Sequence, residues 1–385
     1  MVEFVTRPSP RIAFGSGMLA KLPEFLRDIG SVHPLLVTDK GIRAAGHLDR
    51  TLSILDEAGF EVSVFDNVQE NPTNACISSC KDFAAKAGID SFIGLGGGSS
   101  MDTAKGCNFL LTNGGQMKDY HGYGKADKAM LPFIAIPTTS GTGSECQSYA
   151  LVSDDETHVK MACGDAKALA NVALLDPELT VSQPRRIAIL TGLDALAHSV
   201  ETAVCLSRNP ISKIHSMEAF RLMARSIETV ISGDAQLVDR SNMQMGAALA
   251  GLAIENSMLG AAHACANPLT ASYDVTHGHA VALMLPHVIR FNRKDAAAKE
   301  IYQFYERWIP NNEQRCVDMS DWFESLINAA GLSNLAALGA SESDVSKLAN
   351  AATQQWAGRF NPLSVGQGEF EELYRNGLER VAESA

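Results

Sequence analysis

The spacing of apolar and polar residues changes part-way along the chain. Up to about residue 180, short apolar runs alternate with helical stretches, and runs at 34–38, 61–65, 91–95 and 133–137 predict strands. Such alternation predicts parallel strands joined by crossover helices. Beyond residue 180 the β-branched clusters thin out, and long segments rich in Ala, Leu and Met, such as 243–262, predict helices.

This change of pattern predicts two domains. It falls at residues 182–184 (SQP), where proline is well suited to begin a helix. We therefore expect an α/β dinucleotide-binding domain over residues 1–182 and an all-α domain over residues 183–385. A length of 385 residues agrees with that number of domains.

Composition narrows the class of protein. The chain has 32 Lys and Arg against 44 Asp and Glu, a net charge of −12 that argues against binding to nucleic acid. Its eight cysteines include no C-x-x-C pair, which favours reduced thiols in a cytosol. The first residues show no basic segment followed by an apolar one, as a signal peptide would, and no uninterrupted apolar run approaches the roughly 18 residues of a membrane span. We expect a cytoplasmic protein without a membrane partner.

Two glycine- and hydroxyl-rich loops follow predicted strands. Residues 94–100 (GLGGGSS) come after one strand and open into a helical stretch, so backbone N–H groups and the helix dipole favour a pyrophosphate there. Residues 138–145 (TTSGTGSE) follow another strand and offer hydroxyls and amides of the same kind. The alternative for such loops is a flexible strand-to-helix turn.

A competing fingerprint lies near the N-terminus. Residues 15–20 (GSGMLA) match G-x-G-x-x-A, and Asp39 follows some twenty residues later at the end of a predicted strand. A carboxylate at Asp39 can accept hydrogen bonds from an adenosine ribose and repel a 2′-phosphate, which favours NAD over NADP. An ordinary helix N-cap explains Asp39 equally well.

The second half of the chain carries a candidate metal site. Asp194 and His198 lie four apart in a predicted helix, so both side chains project from one face. His263 follows a run of small residues, and His277 precedes Gly278 in what we expect to be a tight turn. A single histidine in an apolar helix is more often a core residue. One carboxylate with three imidazoles, however, suits Fe²⁺, Zn²⁺, Co²⁺ or Ni²⁺ and leaves room for a substrate oxygen.

Together these features closely resemble the iron-containing alcohol dehydrogenases over nearly the whole chain. The residues that carry the resemblance are 96–99 (GGGS) with Asp102 and Lys105, 137–145, and the Asp194, His198, His263 and His277 set. The resemblance implies a dehydroquinate-synthase-like fold, with NAD and a divalent metal, Fe²⁺ first and Zn²⁺ second, as cofactors. It also implies a homodimer or larger homo-oligomer.

The resemblance also implies roles for individual residues. It assigns the pyrophosphate to Gly97, Gly98 and Ser99, and it makes the N-terminal glycines a structural loop. It places Asp102 near the nicotinamide end as a catalytic candidate. The remaining cofactor contacts that we expect are Asp39, Asn71, Thr138, Thr139, Ser144, Lys160 and Leu179.

One departure from the family concerns proton transfer. Asn267 stands where the family usually has a second histidine, and asparagine cannot carry a proton near neutral pH. His279 stands where the family usually has a small or apolar residue, and we hypothesise that it partly replaces the missing imidazole. A structural or solvent-facing His279 is the alternative.

These features predict reversible hydride transfer between NAD(H) and a small alcohol or aldehyde, with the metal polarising the oxygen. A non-redox lyase or cyclase of the same fold would act on a polyanion and need basic residues, yet segments 191–202 and 256–282 contain no Lys or Arg. A metal- or nucleotide-binding protein without turnover is the third possibility, which Asn267 keeps open.

Overall fold

The chain forms two compact units. The computed structural model describes residues 3–155, 160–310 and 317–379. One unit is Arg7–Gln183, and the other contains the described residues before Arg7 together with those from Pro184 onwards. Pro184 directly precedes a helix that starts at Arg185, so the proline lies one residue before the first helical position.

The first unit is built on a parallel sheet. Its described strands are β1 (Arg11–Phe14), β2 (Pro34–Val37), β3 (Ser63–Phe65), β4 (Ser91–Gly96), β5 (Gly122–Tyr123), β6 (Phe133–Pro137), β7 (Tyr149–Ser153), β8 (Lys160–Gly164) and β9 (Val172–Leu175). Six of them form a sheet in the order β1-β9-β6-β4-β2-β3, with every neighbouring pair parallel. The other three form a small sheet, β5-β8-β7, in which β7 and β8 are antiparallel.

Helices of the same unit connect these strands. They are α1 (Leu22–Asp28), α2 (Lys40–Ala44), α3 (His47–Glu57), α4 (Asn74–Ala87) and α5 (Gly98–Asn113). Both faces of the large sheet are buried: Leu36 and Ile93 belong to one apolar cluster, and Leu35 and Phe92 belong to another. Burial on both faces explains why the strands read as continuous apolar runs.

Three neighbouring strands end at one edge of the sheet. Because β2, β4 and β6 are parallel neighbours, their carboxyl ends place Asp39, Gly97 and Thr138 at the same edge. Ligands of open α/β sheets bind at this edge. The strands therefore bring the two sequence-predicted loops and Asp39 together.

In the described residues the second unit contains helices and no strands. Its helices are α6 (Arg185–Val204), α7 (Pro210–Ala224), α8 (Ile227–Ser232), α9 (Leu237–Glu255), α10 (Ala261–Tyr273), α11 (His277–Asn292), α12 (Ala296–Glu306), α13 (Met319–Ala329), α14 (Val345–Thr353) and α15 (Gln367–Glu379). The expected helical segment 243–262 is in fact split between α9 and α10. An α/β domain followed by an all-α domain is the predicted fold class, and it is confirmed.

Helix α6 lies at the centre of the second unit. Among the described helices it alone has the length and mean hydropathy of a membrane span, but 89% of that stretch is buried inside the protein. Burial of this kind is also found in the core helix of a soluble protein. The helix also carries three acidic or imidazole side chains on one face, at positions 194, 198 and 201.

Candidate metal centre and cofactor site

The four predicted metal ligands come from three helices. Asp194 and His198 lie one turn apart on α6, His263 is the third residue of α10, and His277 is the first residue of α11. The expected tight turn at His277 and Gly278 is wrong, because both residues open α11. Placing each ligand in a helix fixes its backbone position.

The four side chains converge on one carboxylate oxygen. Asp194 Oδ1 lies 3.6 Å from His198 Nε2, 3.4 Å from His263 Nε2 and 4.0 Å from His277 Nε2. Ligand atoms of Asp194, His263 and His277 all lie within 4.8 Å of one another. Ligands about 2.1 Å from one tetrahedral metal are roughly 3.4 Å apart, so the separations within this group of three fit a single cation. His198 lies outside that group and approaches it through Asp194.

The hydrogen bonding of the cluster also fits a metal. Asp194, His198 and His263 are each no more than 5% exposed. Among the described residues, neither Asp194 Oδ1 nor His263 Nε2 has a hydrogen-bond partner of good geometry. Buried polar atoms are normally satisfied, and a divalent cation would satisfy both of these.

The electrostatics of the cluster favour a positive charge. Burial raises the pKa of Asp194, but His198, His263 and His277 outweigh it and hold the pKa well below its usual range. Burial lowers the pKa of His263, but Glu201 and Asp194 outweigh it and raise the pKa to about 9. The two carboxylates therefore attract either a proton on His263 or a metal that replaces it.

Glu201 was missed by the sequence reasoning. It is 3% exposed on α6, where it accepts hydrogen bonds from His263 Nδ1 and from the N–H of Ala262. Its spacing of three residues from His198 places both on one helix face, and that spacing was the available signal. Its partners on α10 are more than sixty positions away, so the contact itself was not readable from sequence.

The two proton-relay candidates have other partners. His279 is 2% exposed, and its Nε2 lies 2.8 Å from the carbonyl oxygen of Ser333. Asn267 lies one turn after His263 on α10 and donates to Gln355 Oε1 at 2.9 Å. The structure thus brings Asp194, His198, His263 and His277 together and gives His279 a hydrogen bond outside that cluster.

The first glycine loop forms the start of α5. Gly97 is its N-cap and Gly98 its first residue, directly after the buried strand β4. The first N–H groups of a helix have no partner within it, so this end suits an anion. Ser99 Oγ accepts a hydrogen bond from the N–H of Asn71 at 3.3 Å.

The second loop packs against the first. The N–H of Thr138 donates to the carbonyl of Gly96 at 2.9 Å. A β-carbon on Gly97 would lie 3.4 Å from Thr139 Cγ2, and one on Gly98 would lie 2.9 Å from Thr142 Cγ2. A side chain at position 98 would therefore push the two loops apart.

A buried network links α5 to the second loop. Ser144 Oγ donates to Asp102 Oδ1 at 3.0 Å and accepts from Lys105 Nζ at 2.9 Å. Lys105 Nζ also donates to the carbonyls of Ser144, Gln147 and Tyr149. Burial raises the pKa of Asp102 against the opposing charges of Lys105 and Lys160.

The remaining residues that we expected to contact the cofactor differ in their exposure to solvent. Asn71 has a φ of 50°, and its Oδ1 accepts from Lys160 Nζ at 3.3 Å. Both of these residues are exposed. Leu179 is fully buried in an apolar cluster of the first unit, which accounts for it without a cofactor.

Asp39 is placed to serve both roles considered for it, as a helix N-cap and as a carboxylate beside the glycine loop. Its Oδ1 accepts hydrogen bonds from the N–H groups of Gly41 at 2.8 Å and Ile42 at 3.0 Å, which makes it the N-cap of α2. Its Oδ2 lies 3.5 Å from the place of a β-carbon on Gly96. One oxygen is therefore used by the helix, and the other lies beside the glycine loop.

The N-terminal glycine fingerprint already holds an anion of the chain itself. The N–H groups of Gly17 and Leu19 donate to the carboxylate of Asp176 at 3.1 and 3.0 Å. Asp176 is fully buried. Because these N–H groups already donate to a carboxylate of the protein, the loop has the structural role that the family resemblance implies.

Two family models together match most of the chain. Residues 9–177 match the model for iron-containing alcohol dehydrogenase, and residues 188–378 match that for the C-terminal part of the Fe-containing alcohol dehydrogenase family. The chain is 32% identical to alcohol dehydrogenase 4 of Schizosaccharomyces pombe over 95% of this chain and 87% of that protein.

Solved structures are similar over almost the full length. A 1,3-propanediol oxidoreductase has a TM-score of 0.92 and 31% identity, covering 98% of this chain and 100% of that one. A sulfoacetaldehyde reductase from Bifidobacterium kashiwanohense, solved with NAD⁺, has a TM-score of 0.88 and 25% identity, with complete coverage of both chains.

Proposed function

Because the chain belongs to the iron-containing alcohol dehydrogenase family, we propose that its four converging side chains hold the divalent metal of an NAD-linked alcohol dehydrogenase. The observation that carries this proposal is the convergence of three Nε2 atoms on one oxygen of Asp194. The other ligands are His198, His263 and His277. In this proposal residues 1–182 bind NAD and residues 183–385 bind the metal, with Fe²⁺ the first candidate and Zn²⁺ the second.

The ligand set suits oxidation of an alcohol and the reverse reduction of an aldehyde. When bound, the metal supplies Lewis acidity towards the substrate oxygen, and NAD supplies the hydride acceptor. Asp194 and three neutral imidazoles offset only part of the charge of a divalent cation. The site therefore keeps its attraction for an oxygen ligand. The three buried ligands, Asp194, His198 and His263, would exclude water from their side of the cation.

On the cofactor side, we assign the pyrophosphate to Gly97, Gly98 and Ser99 at the start of α5. Thr138 and Thr139 of the adjoining loop extend that surface. Asp102 is assigned to the nicotinamide end, where its Oδ1 is oriented by Ser144. The exposed pair of Asn71 and Lys160 adds further polar contacts.

The proposal gives no proton-carrying role to Asn267 or His279. Asn267 has no titratable atom, and its amide is oriented by Gln355. His279 donates to a backbone carbonyl within the helical unit. Lewis acidity at the substrate oxygen lowers the cost of losing the proton, so a strong base beside it is not essential.

The substrate that fits best is small and uncharged. Segments 191–202 and 256–282, which flank the ligands, contain no Lys or Arg. A polyanionic substrate, as in the lyase or cyclase alternative, would lack a charge partner in these segments. Small primary alcohols and diols, with the corresponding aldehydes, are therefore the class to test first.

We further propose a cytoplasmic homodimer or larger homo-oligomer, without nucleic-acid or membrane partners. Strand β1 forms an edge of the large sheet, and its Phe14 is 39% exposed. Within the described residues every cysteine is buried and none forms a disulfide, which suits a reducing compartment. The molar mass in solution tests the oligomer.

The test of the activity is a panel of alcohols and aldehydes with NAD(H) and added Fe²⁺ or Zn²⁺. The proposal predicts turnover of small alcohols such as 1,3-propanediol and weak or no turnover of sulfonated or acidic analogues. Bound metal without oxidation of NADH by any aldehyde would instead favour a binding protein. Preference for an acidic substrate would contradict the substrate class alone.

A further inference from the structure

Glu201 connects two of the helices that carry the metal ligands. It lies on α6 with Asp194 and His198, and its two oxygens accept from two donors of α10. Oε1 accepts from the N–H of Ala262 at 2.7 Å, and Oε2 accepts from Nδ1 of His263. We propose that Glu201 is a positioning residue, which holds His263 in the tautomer that presents Nε2 to the cation. This inference rests on the proposed metal site.

The tautomer follows from the chemistry of the two groups. A carboxylate only accepts hydrogen bonds, and a neutral imidazole has a single N–H. The proton of neutral His263 must therefore lie on Nδ1, facing Glu201, which leaves the lone pair on Nε2. That nitrogen faces Asp194 Oδ1 at 3.4 Å, on the side where the other ligands converge. Metal-binding histidines generally give their second N–H to an acceptor of this kind.

The same carboxylate caps the helix that carries His263. Gly260, the N-cap of α10, has no side chain to satisfy the first N–H groups. Glu201 accepts from Ala262, and Asn361 Oδ1 accepts from Ala261 at 3.3 Å. A β-carbon at position 260 would lie 3.0 Å from Glu201 Oε1. The carboxylate thus sets both the position of the backbone at His263 and the orientation of its ring.

An amide cannot replace this carboxylate. Glutamine has one acceptor oxygen and one NH₂ group. If that oxygen accepts from Ala262, the NH₂ group faces Nδ1 and favours the tautomer with the proton on Nε2, and a protonated Nε2 cannot bind the metal. If the oxygen accepts from His263, the NH₂ group faces the N–H of Ala262. One of the two hydrogen bonds is lost in either case.

The test compares Zn²⁺ affinity of the metal-free protein and its Glu201→Gln variant by competition with a chromophoric chelator. Nitrogen-15 NMR of labelled histidine, recorded at a pH high enough to leave His263 neutral, reports its tautomer in the same proteins. We expect Glu201→Gln to weaken Zn²⁺ binding by about 10- to 100-fold and to increase the Nε2–H form. Glu201→Asp, which keeps both acceptors on a shorter side chain, should recover part of the affinity.

Asn361→Ala is the matched control, because it removes the other cap of α10 without touching the imidazole. It should lower stability yet leave the tautomer unchanged and the Zn²⁺ affinity within about threefold. If Glu201→Gln does not fold, the same comparison is made between Glu201→Asp and Asn361→Ala, and Glu201→Asp must then show the larger loss of affinity. Wild-type affinity in a folded Glu201→Gln protein, or equal losses in Glu201→Gln and Asn361→Ala with an unchanged tautomer, would overturn the inference. A wild-type protein that binds no metal would instead overturn the proposed function.

Discussion

Gly278 lies directly against the backbone of Leu190. A β-carbon at Gly278 would be 2.3 Å from the carbonyl oxygen of Leu190 and 3.4 Å from the β-carbon of Asp194. The first turn of α11 can approach α6 this closely only because position 278 has no side chain. His277, the residue before it, is thereby brought within 4.0 Å of Asp194 Oδ1.

The first prediction follows from that contact. Gly278→Ala should lower the free energy of unfolding by about 1–3 kcal/mol, because the added methyl group forces α11 away from α6. It should also lower the metal content. Gly368→Ala is the control, since a β-carbon there meets nothing within 4 Å, and it should change stability by less than about 1 kcal/mol. Equal stabilities of the two variants in urea would contradict the argument.

The second prediction concerns the choice between NAD and NADP. Asp39→Asn keeps an oxygen that can cap α2 but removes the negative charge beside Gly96. The thermal midpoint should therefore stay close to that of the wild type, while kcat/KM for NAD falls and that for NADP rises. Asp39→Ala should additionally cost about 1 kcal/mol by loss of the cap. An unchanged ratio of the two kcat/KM values in Asp39→Asn would remove the proposed role.

The third prediction concerns pH and Glu145, which is 3% exposed. Burial raises its pKa from 4.5 to about 7, against the opposing effects of its own backbone N–H and of Lys105. Between these values the unfolded chain has lost the proton and the folded chain keeps it, so this group makes stability fall as pH rises. The loss amounts to about 3 kcal/mol.

Glu145→Gln stays neutral and should not show that loss. Relative to the wild type, its free energy of unfolding should therefore rise by about 2–3 kcal/mol between pH 5 and pH 8. Urea denaturation at the two pH values measures the difference. A constant offset between variant and wild type would show that Glu145 does not titrate in this range.

The fourth prediction separates a structural His279 from a catalytic one. Burial lowers the pKa of His279, and its Nε2–H donates to the carbonyl of Ser333. His279→Ala should cost about 1–3 kcal/mol of stability, because it removes a buried side chain together with its hydrogen bond to Ser333. The shape of the pH–rate profile should not change. Loss of an ionisation from the profile would restore His279 as a proton carrier.

Much of the fold could be predicted from the sequence because local residue patterns determine it. The runs at 34–38, 91–95 and 133–137 correspond to β2, β4 and β6, since strands buried on both faces must be apolar throughout. The small β5-β8-β7 sheet was not predicted. Its strand β5 has only two residues, and a pair of residues has no periodicity to detect. The break between α9 and α10 was also missed, because distant side chains cap the new helix.

In the metal site, too, neighbours along one helix could be predicted from the sequence, whereas contacts between distant residues could not. The spacing of Asp194 and His198 on one helix was enough to pair them, and the distant histidines joined them through the family resemblance and the donor chemistry. The hydrogen bonds from α10 to Glu201 span more than sixty residues, so no local pattern reveals them. The N-terminal glycine fingerprint was ambiguous for the same reason, because its anion, Asp176, lies some 160 positions away.

The proposed metal site is tested most directly by titrating the metal-free enzyme with Fe²⁺ under anaerobic conditions, with NAD-linked alcohol oxidation measured at each step. Activity should be absent without metal, rise in proportion to bound iron and saturate at one ion per chain. An Asp194→Ala variant should neither bind the ion nor gain activity. Full activity of the metal-free protein, or undiminished iron binding by Asp194→Ala, would contradict the central claim.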